Sequence, residues 1–462
     1  MPERPYTYYD FTTSLCPVCL KRIDAKIVFE DEKVFMQKKC REHGRFKVLI
    51  ADDIAYYKNI RNYNKPSETP LKFNTPTHYG CPYDCGLCTD HEQHSCLTVI
   101  EITDRCNLTC PTCYAGSSPT YGRHRTLDEV KAMLDTIVAN EGEPDVVQIS
   151  GGEPTLHPQF FEILDYAKSL PIKHLMVNTN GVRISKERDF TARLKTYMPD
   201  FEIYLQFDSF EASVLKTLRG ADLTSVRQRA LEHLNELDLS TTLVVTLQKG
   251  LNDGEIGRIV DYALKQQCVR GVTFQPTQIA GRLENFSPED GRITLTEVRR
   301  KILEQTDVFE SDDLIPVPCN PDALVMGYAL KLGGNVLPLT RYINPADLLD
   351  NSKNTIVYEQ DEALHKKMFD VFSTGISPDR ASEQMHQLLC CLPLVQAPKL
   401  AYHNLFRIII MEFMDAWNFD VRSVKKSCVH IVNKDNKIIP FETMNLLYRD
   451  EKAGLLKQLQ EV

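Results

Sequence analysis

The chain has 462 residues, 63 acidic against 54 basic side chains, and a formal net charge of −9. That balance gives no electrostatic basis for nucleic-acid binding. The N-terminus lacks an apolar signal core, and the most apolar C-terminal run, 405–417, is broken by Arg407 and Glu412 and is too short to span a membrane. Hydrophobic content of 42% and charged content of 25% are those of a globular protein. The length allows one large domain with smaller attachments. Fifteen cysteines in a chain expected to be soluble and cytoplasmic point to metal ligation, because the cytosol keeps thiols reduced.

Residues 1–50 read as a Cys-rich metal ribbon. Cys16-Pro-Val-Cys19 and Cys40-Arg-Glu-His43 flank two β-like runs, 26–30 and 33–37. Three thiolates and one imidazole at that spacing suit Zn²⁺ or a single iron held tetrahedrally. So short a segment cannot bury enough apolar surface alone, so the ion would supply folding energy. Residues 51–96 hold a helix remnant, a linker punctuated by Pro66, Pro70 and Pro76, and a first cysteine triplet.

Over 97–284 strands alternate with helices. The expected strands are 97–103, 146–150, 174–181, 203–208, 241–247 and 271–276, and the expected helices 127–140, 160–170, 225–237 and 255–266. Strands alternating with helices argue for an α/β fold of parallel βα units, whose working site lies at the carboxyl ends of the strands. The loops there carry Cys106, Cys110 and Cys113, then Gly151-Gly152-Glu153-Pro154, then Asn178-Thr179-Asn180-Gly181, then Gln206 and Asp208, and last Gln275-Pro276. Residues 285–462 form a mixed extension, with helices expected over 363–372, 380–391 and 403–416. A hairpin is expected within 428–450, turning at Lys434-Asp435-Asn436.

The stretch from Cys81 to Cys113 contains two Cys-x3-Cys-x2-Cys triplets, Cys81/Cys85/Cys88 and Cys106/Cys110/Cys113, with Cys96 between them. Full ligation of a [4Fe–4S] cube takes four thiolates, so a triplet leaves one iron open to a ligand. Cys96 would close the first triplet into an auxiliary cluster; alternatively Cys96 is free and a substrate takes the open iron. His91 and His94 read as neighbours of a cluster or surface residues rather than ligands. Cys319, Cys428 and one of Cys390 and Cys391, taken as Cys391, are candidates for a second auxiliary cluster. Cys268 reads as a core thiol.

Cys106, Cys110 and Cys113 with Tyr114 beside them, followed by Gly151-Gly152-Glu153-Pro154, resemble the radical S-adenosylmethionine (radical SAM) superfamily. The resemblance implies a partial (βα)6 TIM-like barrel and a [4Fe–4S] cluster that binds SAM and generates a 5′-deoxyadenosyl radical. It implies that Gly151, Gly152 and Glu153 hold the SAM amino group, and that Asn178, Gln206 and Asp208 lie near the ribose and carboxylate. It also implies an external electron donor such as flavodoxin or ferredoxin.

The wider order, CPYDCGLC, TDRCNLTCPTCYA, GGEP and CVHIV…IIPFETMNLLYR, is similar to a group that includes the archaeal tetraether lipid synthases and the 7,8-dihydro-6-hydroxymethylpterin dimethyltransferases. That implies carbon–carbon bond formation on an unactivated carbon. A lipid chain is the first expectation, with peripheral membrane contact, and methylation of a pterin-type heterocycle the alternative. The group carries a rubredoxin-like iron that maps onto Cys16, Cys19 and Cys40, where His43 favours zinc. The run LFRIIIMEFM (405–414) reads as an apolar tunnel lining or a core helix. An iron–sulfur scaffold or electron-transfer protein is the non-catalytic alternative.

Overall fold

The structure is a computed structural model and describes residues 4–65, 68–284, 286–332, 335–341 and 404–461. The ribbon is a four-stranded antiparallel sheet, β1 (Thr7–Leu15), β2 (Arg22–Glu30), β3 (Lys33–Cys40) and β4 (Gly44–Ala51), paired in sequence order. The alternation in β3 buries Val34, Met36, Lys38 and Cys40 on one face. That face packs on Tyr57 and Ile60 at the end of a short helix, α1 (Ile54–Asn59), and the turn after it. Lys38 Nζ donates to Leu15 O and to Ala416 O, both at 2.7 Å, and so ties the ribbon to the C-terminal extension.

A parallel wall follows: β5 (Leu97–Thr103), then β7 (Val146–Gly151), β8 (His174–Thr179), β9 (Phe201–Gln206), β10 (Thr241–Leu247) and β11 (Val269–Pro276). A two-residue strand, β6 (Thr112–Cys113), lies in the first loop and pairs with β12 (Arg282–Leu283). The helices between are α2 (Leu127–Glu141), α3 (Phe160–Lys168), α4 (Arg188–Lys195), α5 (Ala212–Arg219), α6 (Thr224–Glu236) and α7 (Ile256–Lys265). Helix α2 starts on a capping box: Thr126 Oγ1 accepts from Glu129 N at 3.2 Å and Glu129 Oε2 accepts from Thr126 N at 2.7 Å. Helices α4 and α5 are missing from the sequence expectation; each is only eight residues long, about two turns, too short for a helical apolar repeat to stand out.

After α8 (Leu295–Gln305) come β13 (Ile315–Pro316), β14 (Leu324–Leu332), β15 (Asn335–Pro338), β16 (Leu405–Met411), β17 (Val429–Val432) and β18 (Ile438–Pro440). β16 pairs in parallel with β11, and β17 in parallel with β5. The parallel run is therefore β17-β5-β7-β8-β9-β10-β11-β16, flanked by antiparallel β18 and β14. The helix expected over 403–416 is thus corrected to a strand. Every residue of Leu405–Met411 is buried, and a short continuous apolar run cannot be divided between strand and helix by periodicity. The helices expected over 363–372 and 380–391 lie outside the described residues.

Inside the barrel, at the amino ends of the strands, Glu202 is fully buried. It accepts from Arg407 Nη2 at 2.6 Å and from Thr242 Oγ1, and pairs with His174 Nε2 at 3.2 Å. This network joins β16 to β8, β9 and β10 and leaves the opposite end free for a site. Among the described residues no helix is long and apolar enough to cross a membrane.

Candidate active site and metal centres

The loop after β5 carries Cys106, Cys110 and Cys113 to the wall of a cavity at the carboxyl ends of the strands. Arg282 fastens this loop from the far end of the barrel, donating to Cys110 O at 2.6 Å, Ser117 O at 2.7 Å and Gly116 O at 3.3 Å. Burial pushes the Cys106 thiol up to about 12 and raises that of Cys110. A bound cation is what would let these groups sit there as thiolates. No fourth cysteine and no histidine lines the cavity among the described residues, so the donor set fits a [4Fe–4S] cluster with one iron turned to the cavity.

Gly151 and Gly152 line the same cavity, and the geometry shows why both are glycine. Gly151 has φ of +132°, and a Cβ there would meet Thr103 O at 2.2 Å. One on Gly152 would meet Arg105 O at 2.3 Å. The glycines let β7 run against the backbone of the cysteine loop. Glu153 follows the two glycines at the start of the next turn. Its buried carboxylate accepts from Thr155 N at 3.2 Å, Thr155 Oγ1 at 2.6 Å, Thr179 Oγ1 at 2.7 Å and Asn180 N at 2.8 Å. Glu153 is not among the residues that line the cavity.

Asp208 is likewise held by protein donors. It is fully buried and gripped by Arg219, Nε at 2.7 Å and Nη2 at 2.6 Å, with Thr246 N at 3.1 Å. Burial acts to raise its pKa, and Arg219 and Arg227 outweigh that and hold it below the usual carboxylate range. Arg219 lines the cavity beside Cys110. In the sequence Arg219-Gly220 lies only a little after Asp208; the fold pairs the two. Asn178 and Gln206 line the cavity as expected residues. Asn178 Nδ2 donates to Ser150 Oγ at 3.2 Å, and its buried Oδ1 has no partner among the described residues.

Deeper in, the cavity is bounded by Gln148, Tyr204 and Gln275, and by Tyr114, Phe413 and Phe441. Gln275 Nε2 donates to the Tyr204 hydroxyl at 3.1 Å. Phe413 and Phe441 stack at 4.0 Å, with Tyr114 5.0 Å from Phe441. Sequence reasoning named Tyr114 and Gln275 but missed Gln148, Tyr204, Phe413 and Phe441, since each of those is an ordinary strand or turn position until the barrel brings them together.

Three further cysteine groups lie outside the cavity. In the ribbon, Cys16, Cys19, Cys40 and His43 place their ligand atoms within 4.8 Å of one another, with His43 Nδ1 3.6 Å from Cys16 Sγ and 3.5 Å from Cys40 Sγ. In the first triplet, Cys85 lies beside Cys81 and Cys88. Cys85 Sγ accepts from Thr443 Oγ1 at 3.0 Å, and Cys85 N donates to the Tyr448 hydroxyl at 2.7 Å. Cys96 does not close this triplet. It groups instead with Cys319 and Cys428, all three Sγ atoms within 4.8 Å. The short gap after Cys88 suggests closure, but Cys96 is fixed by the start of β5 and points to β17. Cys391 and Cys390 lie outside the described residues. His91 is buried against Ser427 O at 2.9 Å and His430 Nε2 at 3.2 Å, not at the surface.

The chain is 32% identical to the 7,8-dihydro-6-hydroxymethylpterin dimethyltransferase of Methanocaldococcus jannaschii, over 95% of this chain and 94% of that one. Residues 100–263 match the model of the Radical SAM superfamily. The chain belongs to the radical SAM superfamily. Within this radical SAM protein, residues 8–52 match the HMPTM N-terminal zinc ribbon domain, which agrees with the Cys3His donor set. The mycofactocin maturase MftC of Mycolicibacterium smegmatis is 31% identical over 33% of this chain and 38% of its own. Among solved structures, Streptococcus suis SuiB bound to S-adenosylmethionine is 16% identical, with a TM-score of 0.38 over 45% of this chain and 46% of that one.

Proposed function

We propose that this radical SAM enzyme methylates a pterin-type heterocycle at an unactivated carbon. The observation that carries the reading is the inner cavity, where the amides of Gln148 and Gln275 and the hydroxyl of Tyr204 stand beside the Phe413–Phe441 stack. A flat heterocycle with nitrogen and oxygen edges needs that combination of directional polar groups and aromatic faces. The relative across nearly the whole chain bears the matching name. When bound, the cluster and SAM supply the radical chemistry. The protein's own groups then hold and orient: Cys106, Cys110 and Cys113 take the cluster, the Gly151–Gly152 backbone takes an amino group, and Arg219 takes a carboxylate. Asn178 Oδ1 is left to accept from a ligand hydroxyl.

The expected lipid tunnel loses much of its support: of LFRIIIMEFM (405–414) only Met411 and Phe413 line the cavity, and the rest of 405–411 is a buried barrel strand. A lipid substrate keeps one supporting observation, the apolar band of Leu97, Val99, Val244 and Val429 along the cavity wall. The test is anaerobic incubation with dithionite and SAM, with either 7,8-dihydro-6-hydroxymethylpterin or a lipid extract, reading 5′-deoxyadenosine and product mass. Pterin-dependent formation of a methylated product supports the reading; joined lipid chains with no pterin product overturn it. Cys106→Ala should reduce 5′-deoxyadenosine to background. Gln275→Leu, which removes one hydrogen-bonding group, should raise the KM for pterin by about 10-fold without changing SAM cleavage in its absence.

A further inference from the structure

The chain's single tryptophan, Trp417, lies in the turn that follows β16, and that turn has two sides. On the inner side Phe413 lines the cavity and stacks on Phe441. Gln278, another cavity residue, donates from Nε2 to Met414 O at 2.6 Å. The buried Asp415 carboxylate accepts from Ile279 N at 3.1 Å and from Arg292 Nη2 at 2.6 Å. On the outer side stands the ribbon. Trp417 meets Phe46 of β4 edge to face, with ring centres 5.6 Å apart. Leu15 and Leu20 share an apolar cluster with Met414, Ala416 and Phe419, and Thr12 Oγ1 donates to Asp420 Oδ1 at 2.6 Å.

Lys38 links the two sides. Its buried ammonium has three hydrogens, and three acceptors stand around it: Ser14 Oγ at 3.0 Å, Leu15 O at 2.7 Å and Ala416 O at 2.7 Å. A charge taken out of water stands only where such partners are in place. Ser14 and Leu15 directly precede Cys16, and Lys38 lies two residues before Cys40. An ion held by Cys16, Cys19, Cys40 and His43 therefore fixes both strand ends that form the cradle, and the third hydrogen bond carries that order to Ala416. An apolar side chain at position 38 could fill the space, but only a directional bond specifies where Ala416 O stands. We infer that the ribbon is the outer support of the substrate cavity, with Lys38 as the positioning residue that sets the 412–418 turn and, through it, Phe413 and Gln278. Loading of the ribbon with its ion then governs how well the cavity holds a flat substrate. The cysteine loop at 106–113 is held separately, by Arg282 and the β6–β12 pair. The effect on substrate rests on the pterin assignment above, whereas the placing of the turn does not.

The test compares wild type, Lys38→Met, Phe46→Ala and Cys40→Ser, each as the full chain with its iron–sulfur clusters. Trp417 emission and hydrogen exchange of residues 405–418 and 275–283 are read beside zinc content, 5′-deoxyadenosine formed without substrate, and the kcat and KM for 7,8-dihydro-6-hydroxymethylpterin. Lys38→Met should keep its zinc, move Trp417 emission to longer wavelength and speed exchange in both segments. It should raise the KM by about 10-fold, the worth of one misplaced aromatic contact, at little changed kcat and with substrate-free SAM cleavage unaltered. Cys40→Ser, which removes the ion, should reproduce that pattern. Phe46→Ala removes only the ring contact and should show it at smaller size, and it carries the test should Lys38→Met fail to fold. Unchanged exchange and KM in Lys38→Met and Phe46→Ala, or substrate-free SAM cleavage that falls in Cys40→Ser as far as turnover does, would overturn the inference. A wild type that leaves the pterin unmethylated would sink the pterin assignment instead, and the exchange of the two segments would still decide the role of Lys38.

Discussion

Strands β5 and β7 to β11 and strands β16 and β17 stand side by side in one parallel wall, but they are joined to it differently. The first group is built of consecutive strand–helix units, each packing its own helix on the strand before it, as in the Val130–Met133–Leu134–Ile137 face of α2. The second group comes from beyond residue 404, and each of its strands pairs in parallel with a strand far away in the chain. It is held by buried polar ties: Arg407 to Glu202 for β16, the Leu97–Cys428 hydrogen bond for β17, and Glu101 with Arg449 at 2.5 and 2.9 Å just after it. Local units can be completed by apolar periodicity. Strands recruited from far along the chain need directional contacts to fix their register.

That contrast can be broken most directly at Arg407. Arg407→Met leaves the Glu202 carboxylate buried without its main counter-charge and should cost about 3–5 kcal/mol, read as a fall in the urea midpoint at unchanged slope. A loss near zero would mean that β16 is held by apolar packing alone.

Acid sharpens the same point. Burial raises the Glu202 pKa, and Arg407, His174 and Thr242 outweigh it and hold the group below the usual carboxylate range. The stability it contributes is fully present above the ordinary value of 4.5 and is lost as pH falls through the depressed native value. Wild type should therefore lose stability on going from about pH 5 to about pH 3. Each tenfold difference in proton affinity between the folded and unfolded chain carries roughly 1.4 kcal/mol, and Arg407→Met should lose less over the same range. The smallest effect belongs to the local units. Thr126→Ala removes one half of the α2 capping box and should cost about 1 kcal/mol, measurable in urea at neutral pH.

The sequence was most legible where neighbours in the chain are neighbours in the fold. β5 and β10 match their expected spans of 97–103 and 241–247, and α2 extends one residue past 127–140. The ribbon's donor set could be read from two short motifs because a β-hairpin sheet returns Cys40 and His43 to Cys16 and Cys19. It was less legible at Glu153 and Asp208, where residue type alone suggested ligand contact. A carboxylate taken into the protein must first be satisfied by protein donors, and both are.

What the sequence determined by itself was a radical SAM motif, a zinc-type ribbon and alternating strand–helix units, since each rests on spacing within a few tens of residues. What the tertiary structure decided was which of the remaining groups meet: Arg219 with Asp208, the amides with the aromatic stack, β16 as a strand, and Cys96 with Cys319 and Cys428 rather than with Cys88. The physical reason is register. Pairing β17 beside β5 brings residues 97 and 429 opposite each other, and no periodicity within either segment encodes that meeting.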